Sequence, residues 1–243
     1  MTGRTTPTGK RVAIVQSNYI PWKGYFDLIN LVDELVLFDA VQYTRRDWRN
    51  RNVIKTPAGT QWLTIPVEVK GKYTQLIRET RIADTGWAKR HWTTFVHNYS
   101  RARHFKALRE ALEPLFLANS HSLLSESNRS FIEGICALLG IETRISWSWD
   151  HPVAEGKNER LIAICKSVGA STYLSGPAAK GYLDEALFRA EGIEVQWMEY
   201  ANYPEYHQLH GPFEHGVTVL DLLLNEGPEA RRYMKSFVEA PAP

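Results

Sequence analysis

Asp39, Gln42, Tyr43, Arg45, Arg46, Asp47, Arg49, Asn50, Arg51 and Asn52 crowd the stretch that follows the apolar run Leu35-Val36-Leu37-Phe38, and Lys55 lies just beyond. A guanidinium presents paired N–H donors that match phosphate or carboxylate, so this arginine run suits an anionic ligand. A nucleotide-sugar diphosphate or a carboxylate-bearing acyl donor meets that requirement. Trp48, inside the run, can stack on a base or a sugar ring, or simply anchor the loop. The plainer reading is a solvated loop whose arginines pair locally with aspartate.

A second concentration of chemistry is Gln16-Ser17-Asn18-Tyr19-Ile20-Pro21-Trp22-Lys23-Gly24-Tyr25. Amides, aromatics, a proline and a glycine share one turn between a strand and a helix. Leading into a helix N-terminus, such a turn offers backbone N–H groups to phosphate or carboxylate. Gln16, Asn18, Tyr19, Trp22, Lys23 and Gly24 are its candidate binding residues, beside Tyr43, Arg45, Arg49, Asn50, Arg51 and Asn52. Neither Gly-x-Gly-x-x-Gly nor Gly-x-x-x-x-Gly-Lys-Ser/Thr occurs, so no dinucleotide fingerprint or P-loop is present. The strand–turn–helix is similar to that of HIGH-type nucleotidyltransferases, but their His-x-Gly-His is missing.

In the second half, Ser175-Gly176 ends a strand ahead of a helix and can form an anion nest, with Lys180 close behind in sequence. Asn158 starts the preceding helix, as an N-cap or as a ligand-binding amide. No His-Glu-x-x-His or cysteine pair accompanies the eight histidines, so no metal is expected. His207, in an aromatic loop, is a candidate general base. Asp39 and Gln42 are the other candidates for handling a proton. No Gly-x-Ser-x-Gly elbow supports a hydrolase.

The elements that must position these residues follow from periodicity. Val12 to Val15 and Leu35 to Phe38 are short buried strands around a helix whose face is Trp22, Tyr25, Phe26, Ile29 and Val32. Pro21 suits that helix's first turn. Gln61 to Val67 reads as a strand, and Leu76 to Ile82 as a further one. Residues 86–139 read as almost wholly helical, with Gly140 as a C-cap. Strand and helix then alternate: strand 144–148, a helix from Asn158, strand 171–175, a helix over 181–190, strand 194–197, and helices 217–224 and 229–238. This predicts an α/β, Rossmann-like fold with a largely parallel sheet and a helical insert. Residues 11–238 form one domain with a helical subdomain over about 86–139; residues 1–10 and 239–243 are tails, the first disordered.

The 243 residues carry a formal net charge of +2, with 44% hydrophobic and 23% charged residues. That balance gives no reason to expect a nucleic-acid polymer as partner. Cys136 and Cys165 fall in apolar helical patterns and read as reduced core residues of a cytoplasmic protein. No apolar run is long enough to span a membrane.

Gln16 to Tyr25, Asp39-Ala40-Val41-Gln42-Tyr43, Trp48-Arg49-Asn50-Arg51-Asn52, Trp62-Leu63-Thr64-Ile65-Pro66-Val67 and Thr172-Tyr173-Leu174-Ser175-Gly176 together resemble the WbqC-like protein family. The likeness covers nearly all of the chain after residue 10. One departure stands out: the turn reads Gln-Ser-Asn where Gln-Pro-Asn or Gln-Pro-Tyr is expected, which alters turn rigidity more than chemistry. The resemblance implies a place in O-antigen or other polysaccharide assembly, and a glycine (aminoacyl) transferase role has been suggested for one member. The expectation is therefore an acyl or aminoacyl transferase acting on an amine of a sugar or related small molecule, nucleotide-linked, in glycan or natural-product biosynthesis. A nucleotide or an aminoacyl donor would be its co-substrate, and self-association stays open. The alternatives are a non-catalytic nucleotide-sugar-binding scaffold, or an adenylate-forming ligase on a HIGH-like fold.

Overall fold

A computed structural model describes residues 9–237. In chain order its first elements are β1 (Lys10–Val15), α1 (Lys23–Asn30), β2 (Glu34–Leu37), β3 (Arg51–Thr56), β4 (Gly59–Thr64), α2 (Trp87–Tyr99) and α3 (Phe105–Leu117). There follow α4 (Leu124–Leu139), β5 (Arg144–Trp147), α5 (Lys157–Ser167), β6 (Ala170–Ser175), α6 (Glu185–Ala190), β7 (Glu194–Trp197) and α7 (Val219–Glu226). They fall into two compact units. The first holds residues 9–15, Leu28–Phe38 and Thr143–Tyr200; the second holds Gln16–Asp27, Asp39–Glu142 and residues 201–237.

The first unit is a five-stranded sheet in the order β5-β2-β1-β6-β7, with every pairing parallel. Strands covered on both faces read as unbroken apolar runs, and Val12, Ala13, Leu35, Val36 and Leu37 are indeed fully buried. Val12, Ile14, Val36 and Tyr173 form a core with Ile164 and Cys165 of α5 and Phe188 of α6. From β1 the strands proceed outward to β2 and β5, then restart on the other side with β6 and β7. In doubly wound sheets that reversal, here between β1 and β6, is where ligands gather.

The second unit carries the β3–β4 antiparallel hairpin, the helices α2, α3 and α4, and α7. Its core is aromatic: the Phe116 ring lies 4.8 Å from Phe131 and 5.6 Å from Trp92. Gly140 closes α4 at φ 62°, the left-handed cap that the sequence indicates.

Several local expectations need correction. The expected strand over Leu76–Ile82 is a 3₁₀ turn, Ile77–Glu79, flanked by isolated bridges from Gln42 to Leu76 and from Val67 to Ile82. The Glu79 carboxylate accepts from the Leu76 N–H at 3.0 Å, and the Thr80 hydroxyl donates to the Leu76 carbonyl at 2.9 Å. Such local bonds satisfy backbone groups that a strand would need. The polar loop expected to run through Asn52 gives way to β3 at Arg51, which pairs with β4 across a turn where Gly59 sits at φ 110°. The 181–190 helix splits into a 3₁₀ turn at Pro177–Gly181 and α6, because Asp184 caps α6 by accepting from the Ala186 N–H. The 229–238 helix is a 3₁₀ run over Gly227–Tyr233, with Val238 outside the described residues. Lys10, expected in the tail, opens β1; residues 1–8 and 238–243 lie outside the described residues.

Candidate functional site

The second unit contains both the Gln16–Tyr25 turn and the arginine run. Ile20 stands at φ 36°, a conformation that a β-branched residue rarely adopts, and it does so immediately before Pro21. The strain is held from outside. Asn52 Nδ2 donates to the Tyr19 and Ile20 carbonyls, 3.0 Å each, and the Tyr19 N–H donates to the Trp48 carbonyl at 3.1 Å. Gly24 is required by close approach: a Cβ there would meet the Trp22 indole at 2.4 Å. The Tyr25 hydroxyl closes the turn on the Gln16 carbonyl at 3.1 Å.

Arg49 joins the two segments. Its guanidinium donates to Asn18 Oδ1 and lies 3.4 Å from Asp47. Asn128 of α4 supports the junction from behind, donating to the Arg49 carbonyl at 2.8 Å and to the Ser17 hydroxyl at 3.0 Å. Ser17 in turn donates through its N–H and hydroxyl to Asp39, at 2.8 and 2.6 Å. Asp39 is fully buried, and burial pushes its pKa up against the opposing Ser17 bonds and the Arg49 charge. It is therefore placed to fix Ser17 rather than to meet a ligand directly. Because the Asn128 and Asn50 Nδ2 groups are engaged with carbonyls, their amide orientation is fixed. Both Oδ1 atoms are left buried without a hydrogen-bond partner among the described residues, as are Arg49 Nε and Arg51 Nε.

Tyr19 is sealed, its hydroxyl 2.8 Å from His91 Nδ1. Burial lowers the His91 pKa to about 4, against a raising contribution from the Thr64 carbonyl. The ring is therefore neutral, with Nδ1 accepting from Tyr19 and the other nitrogen facing Thr64. Burial also raises the Tyr19 pKa well above the usual range, so this pair is a rigid strut.

Lys23 has the most unusual surroundings. Its ammonium lies 5.0 Å from the ring centres of both Tyr203 and Tyr206 and 5.9 Å from Phe213, and it donates to the Pro204 carbonyl at 3.2 Å. Burial lowers its pKa to about 8, with Asp27, Asp221 and Glu205 pulling the other way. Asp221 is buried and accepts from the Tyr99 and Tyr206 hydroxyls, each at 2.7 Å, and from Gln208 at 2.9 Å. Asp27 accepts from the Tyr203 hydroxyl at 2.6 Å and from the backbone N–H groups of Lys235 and Ser236.

The remaining candidates in this unit are more open. Gln42 is exposed and donates to the Tyr73 carbonyl at 2.9 Å, Tyr43 is buried, and Arg45 is exposed with a bond to the Val69 carbonyl at 2.7 Å. Arg51 donates to the Arg46 carbonyl and places its guanidinium 4.2 Å from the Trp62 ring centre. Lys55 is no loop residue: it is buried on β3 and donates to the Pro212 carbonyl. His207 is exposed, and its backbone N–H donates to Glu226 at 3.0 Å.

Asn158, Ser175, Gly176 and Lys180 belong to the first unit. Asn158 is not the helix cap, a place taken by Gly156; its amide brackets the Tyr182 carbonyl at 3.4 Å and the Asp184 N–H at 3.1 Å. Ser175 and Gly176 end β6 beside the switch point, ahead of a 3₁₀ turn. The Lys180 ammonium lies 5.5 Å from the Trp197 ring centre, at the rim of an open hollow of about 440 Å³ that Tyr182, Asp184 and Arg189 also line.

Asn128, His91, Tyr206 and Asp221 escape a reading by sequence. Each meets a partner far along the chain, Ser17 for Asn128, Tyr19 for His91, Lys23 for Tyr206 and Tyr99 for Asp221, and only the Lys23–Asp27 spacing of one helical turn hints at the ammonium cluster. Among the described residues no group of three or more His, Cys, Asp or Glu could hold a metal ion, and no helix is long and apolar enough to cross a membrane.

No solved structure matches the chain. A relative described as "Uncharacterized protein Rv1507c", from Mycobacterium tuberculosis, is 52% identical over 226 residues, covering 93% of this chain and 98% of the relative. The model of the WbqC-like protein family matches residues 16–233, which span the strained turn, the arginine run and the lysine cluster, and the chain belongs to that family.

Proposed function

We propose that the chain binds a nucleotide-linked sugar and transfers an acyl or aminoacyl group, glycyl among them, to an amine of that sugar in glycan or natural-product assembly. The observation that carries this reading is the junction of Arg49 with Asn18. It sets a guanidinium, whose neighbours Arg45, Arg46 and Arg51 add charge, against a rigid amide-rich turn. Diphosphate is the ligand group that such a fork reads most naturally. In the transfer, the amine nitrogen attacks the acyl carbon, the bond from that carbon to its carrier breaks, and the amine proton passes to a base and then to the carrier. Exposed His207 serves as that base, while Lys23, enclosed by Tyr203, Tyr206 and Phe213, holds the turn. Gln42 and the arginines supply donors for the acyl oxygen, while Asp39 acts through Ser17.

The second reading is a non-catalytic nucleotide-sugar-binding scaffold, favoured by the sealing of Asp39, Tyr19 and His91. A HIGH-like ligase draws support from the strand order of the parallel sheet and predicts ATP-dependent release of pyrophosphate. The test incubates the purified chain with UDP-linked amino sugars and, in turn, glycyl-tRNA, acetyl-coenzyme A, and glycine with ATP. Mass spectrometry then looks for amide products. A glycylated or acetylated sugar supports transfer; binding without any product supports the scaffold; pyrophosphate release that needs ATP and glycine selects the ligase.

A further inference from the structure

Trp48 and Trp62 are large apolar side chains left 42% and 46% exposed. Their ring centres lie 5.2 Å apart with the planes tilted by 37°. A folded chain gains by covering such surface, so two indoles held side by side in the open suggest a stacking partner. The pair is also held firmly. Trp62 lies on β4 opposite Val53, and Arg51, two residues from Val53 on the same face of the hairpin, covers part of Trp62 at 4.2 Å. Trp48 is fixed at its backbone: its N–H donates to Asp47 at 2.7 Å, and its carbonyl accepts from Tyr19. The Arg51 guanidinium also donates to the Arg46 carbonyl, which ties the exposed Arg46 to the same edge.

We propose that Trp48 and Trp62, flanked by Arg46 and Arg51, form a stacking subsite for the base of a nucleoside diphosphate, an assignment that rests on the nucleotide-linked substrate proposed above. A base has a flat face to lay on an indole, and the phosphates that follow it answer the adjacent guanidinium charge. A free sugar ring would leave that charge unanswered. A nucleic-acid strand would find little to extend along on a chain whose net charge is +2. Two aromatic faces also tolerate any base, because stacking reads the π-surface rather than the hydrogen-bonding edge.

The test is calorimetric titration of the full chain and of Trp48→Ala, Trp62→Ala and Trp62→Phe with UDP, GDP, pyrophosphate, N-acetylglucosamine and an oligouridylate of eight nucleotides. Thermal melts serve as the folding control. Base stacking onto an aromatic predicts a loss of about 5- to 150-fold for UDP and GDP in each alanine variant. Trp62→Phe should retain most of the affinity, and pyrophosphate binding should barely change. Unchanged UDP affinity in both folded alanine variants overturns the subsite, as does a wild-type chain that binds neither UDP nor GDP. A selective loss of N-acetylglucosamine binding moves the platform to the sugar, and far tighter binding of the oligouridylate moves it to a nucleic acid; either result overturns the assignment. Tryptophan-dependent UDP binding without any amide product removes the transferase reading and leaves the subsite standing.

Discussion

Asn52 holds Ile20 in place: one amide nitrogen sits 3.0 Å from the carbonyl oxygen on each side of a residue forced to φ 36°. The two residues are 32 positions apart, and the arginine run lies between them. The same strand that starts with Arg51 therefore clamps the turn that carries Asn18 and Lys23, and the proposed binding geometry and the backbone strain share one support.

Replacing Asn52 with Ala should destabilise the chain by about 1–3 kcal/mol for the buried carbonyls left unpaired. Relaxation of the strained turn should also loosen the Arg49–Asn18 junction. Urea unfolding gives the first quantity and UDP titration the second. An unchanged unfolding midpoint would show that the turn holds itself.

Arg49→Ala should weaken binding of UDP by about 1.5–3 kcal/mol, typical of hydrogen bonds to charged groups. Arg49→Lys should recover only part of that, since an ammonium keeps the charge but not the planar fork. Arg51→Ala should behave alike. If both alanine variants bind as wild type while melting normally, the arginines belong to a solvated surface.

The neutral His91 ring predicts acid sensitivity. Its pKa in the fold is about 4, against 6.5 for an ordinary histidine. The unfolded chain therefore binds a proton between those values that the folded chain refuses. Stability from this group is complete above pH 6.5 and falls as pH drops through 4, by on the order of 3 kcal/mol at most. His91→Gln should flatten the pH dependence of unfolding across that window, and an equally steep profile in the variant would assign the loss to other groups.

Lys23 gives the alkaline counterpart. With a pKa of about 8 in the fold and 10.5 in the ordinary range, it burdens the native state wherever it is charged, below pH 8. That burden lifts as pH climbs from 8 towards 10.5. Compared with Lys23→Met, the wild type should gain stability between pH 8 and 10, before the buried tyrosines begin to favour the unfolded chain. A constant difference between the two proteins over that range would contradict a depressed lysine.

The sheet was readable because β1 and β2 carry short unbroken apolar runs and β5, β6 and β7 alternate with helical patterns, and α2 to α4 because their apolar positions recur at helical spacing. Of the hairpin only β4 was: Asn52 and Lys55 make β3 look like a loop, since these buried polar groups are satisfied by the distant carbonyls of Tyr19, Ile20 and Pro212. The 3₁₀ turn at Ile77–Glu79 carries strand-like residues, but Glu79 and Thr80 bond back to Leu76. The cluster around Lys23 was hidden for a related reason. Tyr203, Tyr206, Phe213 and Asp221 arrive from the far end of the chain, and no local spacing announces a meeting set by tertiary packing.

Asp27, near the start of the chain, takes its hydrogen bonds from Tyr203, Lys235 and Ser236. During synthesis the sheet unit has all its strands once Tyr200 has left the ribosome, whereas the second unit waits for the last stretch before its carboxylates are answered and the Lys23 ammonium is walled in. Domains generally fold as their segments emerge. Here the turn proposed to bind ligand is translated early and completed last, so a nascent or prematurely terminated chain would carry a formed sheet and an unfinished candidate site.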